Sequence, residues 1–219
     1  MLPDGSFEKT YIVEGDIALS ANQLNNMSPS NIQDKQYRTN NLVSNNRTIN
    51  VIGYTGGSQA LSSKQRTALQ YAINNYNALN IGLSFTLTYG TNYNSYDIVV
   101  YQTRNGQGGG VAGFPSNGNP YKFVQIYDGM EQYSVDTNEH VMTHVMTHEI
   151  GHSLGMRHTD WFSRQSCGQS GEGAGSDGAV HIPGTPTGFD STSIMLACFG
   201  ANEDGEFNAN DRTAFEFLY

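Results

Sequence analysis

Apolar and polar residues alternate from Thr48 to Tyr54, as they do along a strand with one buried face. Over residues 58–79 the period changes. Leu61, Ala68, Leu69, Ala72, Ile73 and Tyr76 fall on one face of a helix, with Ser62 or Ser63 available to cap its start. Strand patterns return over Leu83 to Tyr89, Asp97 to Gln102 and Phe123 to Tyr127, and the glycine-rich run 105–113 predicts a loop. A long helix is expected over Thr137 to Leu154, and helical spacing resumes over 208–218 through Ala214, Phe215 and Leu218. Between them, from 159 to about 207, the chain reads as irregular, rich in Gly, Ser and Pro, with dense apolar residues only around Met195. Residues 1–45 are polar, Asn-rich and weakly periodic. The order strand, helix, strands, helix predicts an α+β fold: a twisted, largely parallel sheet with two helices packed against it.

A chain of 219 residues can bury one substantial core, or two lobes around a cleft. Its net charge of −9 argues against a nucleic-acid partner, which would need clustered Lys and Arg. No apolar stretch approaches the length that spans a membrane, so no membrane partner is expected. Charged residues make up only 14%, while 10 Phe, 13 Tyr and one Trp sit among abundant Gly, Asn, Ser and Thr, a composition common among secreted bacterial hydrolases. No basic-then-apolar export signal opens the chain, so a secreted protein is expected to have shed one.

Residues 148–158 read HEIGHSLGMRH and change the picture from fold to chemistry. On a helix, positions four apart lie only about 40° apart around the axis, so His148 and His152 project from one face and can share a metal ion. Glu149 sits to one side of that ion, placed for a water rather than for the metal. Gly155 can take the left-handed conformation that ends a helix. The chain can then return His158 as a third ligand. Three imidazoles leave one position open, the mark of a catalytic zinc site rather than a structural one, with Glu149 as general base.

This extended motif resembles that of the metzincin zinc endopeptidases. Ser193-Ile194-Met195 is similar to the Met-turn of the astacins, in which a methionine underlies the metal ligands. The letters HEIGH followed by Arg157-His158-Thr159-Asp160-Trp161 resemble a bacterial astacin-related group, the dual-action HEIGH metallopeptidases. The resemblance implies a metzincin fold with an upper lobe over about 46–155, a lower lobe over about 156–219 and a substrate cleft between them. It implies one catalytic Zn2+ and a protein or peptide substrate. Two departures stand out: Ala197 occupies the place of the astacins' Met-turn tyrosine, and Thr159 that of the glutamate after the third histidine.

Val13-Glu14-Gly15-Asp16-Ile17 is similar to the F-x-G-D motif of astacin pro-segments, with Val13 for Phe; the bland alternative is a surface turn. The resemblance implies that residues 1–45 form an inhibitory pro-segment ahead of a catalytic domain at 46–219. Asp16 would then be the fourth zinc ligand of a latent zymogen, because a carboxylate fits the position that water needs. Lys35, Arg38 and Arg47 would offer an activating protease its cut. A monomer is expected.

Five further features have weaker chemistry. Cys167 and Cys198 are the only cysteines, and in an exported enzyme a disulfide is expected of them. His140 and His144 extend the i, i+4 ladder, but no Glu follows His144, which is expected to pack or face solvent rather than ligate. His181 reads either as loop structure or as a residue with a substrate or oxyanion role. Asn202 to Asp211 partly matches a calcium loop, yet Gly200 stands where the first acidic ligand belongs, and Asp160 reads as a structural acceptor.

Overall fold

A computed structural model describes residues 1–25, 36–133, 140–169, 178–186 and 189–219. The chain opens with a hairpin of β1 (Tyr11–Val13) and β2 (Ile17–Leu19), followed by the short helix α1 (Ala21–Asn25) and strand β3 (Tyr37–Arg38). The central part runs β4 (Arg47–Tyr54), α2 (Ser63–Asn77), β5 (Leu83–Gly90), β6 (Ile98–Thr103), β7 (Gly110–Val111), β8 (Phe123–Tyr127) and α3 (Val141–Leu154). After α3 come β9 (Val180–His181) and α4 (Ala209–Leu218).

The sheet has five strands in the order β5-β4-β6-β8-β7. Every neighbouring pair is parallel except β7 with β8, so the sheet is mixed and the expected α+β class holds. Helices α2 and α3 pack on it, sharing one core that includes Ile49, Val51, Leu69, Ile73, Val145 and Ile150. Helix α4 adds Phe215 to that core. Tyr76 sits among Phe85, Phe207 and Phe215 and donates its hydroxyl to the Thr147 carbonyl at 2.8 Å, joining α2 to α3.

Two sequence expectations need correction, whereas the helix read over 58–79 begins at its expected cap: it starts at Ser63, and the Ser62 hydroxyl accepts from the Gln65 amide while the Gln65 side chain accepts from Ser62. That reciprocal cap fixes the start, and residues 57–59 form a separate turn. The glycine-rich stretch is not wholly loop: β7 closes the sheet edge, since ladder bonds need no apolar pattern. A β-carbon on Gly110 would lie 2.8 Å from the Gln125 carbonyl, so the close approach there requires glycine. The 159–207 region also contains a strand, β9, which pairs antiparallel with β3.

The start of α3 expected at Thr137 lies outside the described residues. From Val141 to Leu154 every residue of the helix is buried. It ends at Gly155 with φ +108°, where a β-carbon would meet the Asn41 carbonyl at 2.9 Å. Beyond it, a disulfide joins Cys167 to Cys198 with the α-carbons 5.2 Å apart, as expected. No described helix is long and apolar enough to cross a membrane.

Candidate active site

One turn of α3 separates His148 from His152, and the left-handed Gly155 returns the chain so that His158 faces both. The Nε2 atoms of His148 and His152 each lie 3.2 Å from Nε2 of His158. Asp16 enters from the hairpin, with Oδ2 at 3.1 Å from His158 Nε2 and 3.4 Å from His148 Nε2. Its Oδ1 is 3.8 Å from His152 Nε2 and has no hydrogen-bond partner among the described residues. One donor atom from each of the four lies within 4.8 Å of the others, the one such group among the described residues.

The far side of each ring shows what the near side offers. His148 Nδ1 faces the Ile194 carbonyl at 2.7 Å, and His152 Nδ1 faces the Met156 carbonyl at 2.8 Å. A carbonyl only accepts, so each Nδ1 carries the ring proton and each Nε2 presents a lone pair. His158 Nδ1 faces Glu14 Oε2 at 3.2 Å, another acceptor. The lone pairs of His148 and His152, the His158 Nε2 and the Asp16 carboxylate crowd one point. That donor set fits a divalent cation.

Burial works to raise the Asp16 carboxyl, but the neighbouring His158, His148 and His152 outweigh it and hold it well below the usual range. His152 is pushed well below the ordinary histidine value by burial and by the charges of His148 and His158. Glu149, on the same helix, is buried, and its Oε2 has no hydrogen-bond partner among the described residues. Burial first, and then the charge of Asp16, push the Glu149 carboxyl well above the usual range. A β-carbon on Gly110 would lie 2.9 Å from Glu149 Oε1, so the glycine at the sheet edge makes room for this side chain. Both open onto a cavity of about 380 Å³ that Met130, Val145 and Phe199 also line.

Below the histidines, Met195 is fully buried, and a β-carbon on Gly151 would lie 2.5 Å from its sulfur. The methionine therefore sits directly against the helix turn between His148 and His152. Two buried aspartates fasten this stretch. Asp160 Oδ1 accepts from the Ala197 amide at 3.3 Å, and its Oδ2 accepts from Ser166, so it acts as a structural acceptor as expected. Asp211 accepts from Ser193 and Ile194, and also from Gln36 Nε2 at 3.2 Å. Burial pushes the Asp211 carboxyl up to about 6, against the pull of those hydrogen bonds.

The hairpin is tied in at more than Asp16. The Ala18 amide donates to the Ala112 carbonyl at 2.7 Å, and the Ala112 amide to the Asp16 carbonyl at 3.0 Å, beside β7. Glu14, almost fully buried, forms an ion pair with Arg157 as well as meeting His158. Sequence reasoning missed Glu14, Arg157 and Asp211.

His144 stands outside the ligand group: its ring lies 4.1 Å from that of Phe199, and burial with the charge of His148 lowers it to about 3. His181 meets the Thr185 hydroxyl at 3.3 Å and packs by Tyr37, away from the four donors. In the calcium-like stretch, Asp204 caps Glu206 and Asp211 is committed to Ser193 and Ile194.

Among known proteins, the family model of the dual-action HEIGH metallopeptidases matches residues 11–219. Two solved structures of myroilysin are similar to the chain. One is 17% identical with a TM-score of 0.48, covering 80% of this chain and 81% of that one. The other is 15% identical with a TM-score of 0.46, covering 79% and 83%. No curated protein matches.

Proposed function

The chain belongs to the dual-action HEIGH metallopeptidases, and on that premise we propose that it is a secreted zinc endopeptidase held here as a latent zymogen. The observation that carries this reading is the convergence of three Nε2 atoms and one hairpin carboxylate on a single point. His148, His152 and His158 would hold Zn2+, and Asp16 would fill the position that the working enzyme gives to water and substrate. Zinc bound there supplies a Lewis acid and brings water towards ionisation near neutral pH. Glu149 takes the proton of the attacking water and passes it to the leaving amine. Met195 supports the ligand-bearing turn from below. The Cys167–Cys198 bridge supports an oxidising, extracellular destination.

The proposed division is an inhibitory segment followed by a catalytic domain with its cleft between lobes. Contacts narrow the place of the activating cut. Arg47 opens β4 and pairs with Asp97 at 2.7 Å. Arg38 lies in β3, paired to β9 beside the buried Tyr37, and Gln36 reaches Asp211. These residues belong with the catalytic part, which favours a cut before Gln36 over one near 45. Lys35 is the basic residue on that side, and it lies outside the described residues.

Casein digestion before and after limited trypsin treatment, with a chelator control, tests the proposal. Chelator-sensitive activity that rises on cleavage is expected. Cleaved, zinc-loaded protein that digests no protein would leave a zinc-binding module or a hydrolase of a non-peptide bond.

A further inference from the structure

The three histidines are not held alike on the side away from the metal position. The Nδ1 partners of His148 and His152 are the backbone carbonyls of Ile194 and Met156, which belong to the same part of the chain as the rings. The partner of His158 Nδ1 is Glu14 Oε2, 144 residues away in the hairpin turn. A second neighbour, Arg164 Nη1, lies 3.1 Å from the same nitrogen. The two neighbours ask for opposite things. A carboxylate accepts, which keeps the ring proton on Nδ1 and leaves a lone pair on Nε2. A guanidinium only donates, which favours a lone pair on Nδ1 and the proton on Nε2, where no metal could then bind.

The turn is shaped for the first outcome. Glu14 has φ +53° and Gly15 φ +91°, and this reversal sends the Glu14 and Asp16 carboxylates to the two ring nitrogens of one histidine. The Glu14 side chain is 1% exposed and is fixed by its ion pair with the buried Arg157. Hydrogen bonds that orient ligating histidines commonly alter metal affinity about 10–100-fold.

We infer that Glu14 is a positioning residue for the third metal ligand: its carboxylate sets the His158 ring so that the intact chain binds its metal more tightly than the same chain lacking that carboxylate. The hairpin turn thus completes, through Glu14, the site that it blocks through Asp16. Metal is therefore best acquired before the hairpin leaves. This rests on the reading of His158 as a ligand.

The test is the Zn2+ affinity of the full-length chain, measured by competition with a chromogenic chelator. Glu14 could act merely by anchoring Asp16, so the decisive comparison is made in an Asp16→Ala background. There, adding Glu14→Ala should weaken Zn2+ binding about 10–100-fold, and Glu14→Gln, which keeps an accepting oxygen, should fall between. Thermal unfolding of the metal-free proteins shows whether each variant is folded, and the Gln variant decides if the Ala variant is not. Affinities equal within about twofold in that background would overturn the inference, even if Glu14→Ala weakened binding when Asp16 is present. His158→Ala separates the two levels of the argument. An unchanged affinity there removes the ligand reading itself, whereas a loss there without one from Glu14 removes only the role of Glu14.

Discussion

Helix α3 and the β1–β2 hairpin reach the same point from opposite sides, and different forces hold them there. All of α3 is buried, and Val141, Val145, Met146, Ile150 and Leu154 belong to the main core under the sheet. The hairpin has a small apolar cluster of its own, Ile17 and Leu19 against Phe114, with Val13 half-buried beside it and Ile12 49% exposed. Its remaining attachments are polar: two backbone bonds to Ala112, the Glu14–Arg157 pair, and Asp16 among the histidines. A buried ion pair with one partner removed is costly, yet such attachments can be released together when one strand pair opens. A helix built into a core cannot leave without unfolding it. The difference suits the proposed division between a part that does chemistry and a part that departs.

The largest expected effect tests that division of labour directly. In the cleaved enzyme, Glu149→Gln should retain Zn2+ and lose about 10²–10⁴-fold in kcat. In the intact chain, Asp16→Ala should do the opposite, raising residual activity or shortening the lag before activation. Near-normal turnover in the Gln variant would sink Glu149 as the base. A fall in activity after Asp16→Ala would move the hairpin to the catalytic side of the comparison.

A second pair of substitutions weighs packing alone. Ile150→Ala should lower the free energy of unfolding by about 2–5 kcal/mol, because it leaves a cavity in the shared core. Leu19→Ala removes comparable apolar volume from the small cluster. It should open the hairpin to protease while moving the global denaturant midpoint much less. Equal shifts of the midpoint would show that the hairpin is part of the cooperative core.

The same contrast explains what could be read from the sequence. The three clustered histidines and α3 were legible because their spacing is local, and β4, α2, β5 and β6 because each runs long enough to show a period. Strand β7 was not, since two residues carry no period and Gly110 is there for what it lacks. The β3–β9 ladder and the Gln36–Asp211 contact, 175 residues apart, were invisible for another reason: a hydrogen bond to a distant partner leaves no local pattern. Asp16 stood out only through its resemblance to a pro-segment motif. Glu14, which the structure buries more deeply, drew no notice because its partner Arg157 lies 143 residues on.

The smallest effect concerns pH, and here the two regions should separate in order. On α3, burial and the charge of His148 hold His144 at about 3, below its ordinary 6.5. A histidine with a depressed folded value contributes its full stability above pH 6.5 and loses it as the pH falls from there towards 3. His152, lowered in the same direction, adds to the loss in metal-free protein. Asp16 in the hairpin is a carboxylate held below its ordinary 3.8, so its contribution persists above that value and fades only at lower pH. Between pH 6 and 4.5 these two histidines therefore draw stability down, while the raised carboxyls of Glu149 and Asp211, which take up a proton in the folded chain first, draw it up. His144→Phe, stacked in place against Phe199, should remove about 1.4 kcal/mol per pH unit of the downward pull in chemical denaturation of the metal-free chain. Asp16→Ala, which acts in this window only through its charge on its neighbours, should change the slope less. If it is Asp16→Ala that flattens the curve there, the charge that matters to acid stability sits in the hairpin, and the contrast between a packed helix and a tethered turn fails.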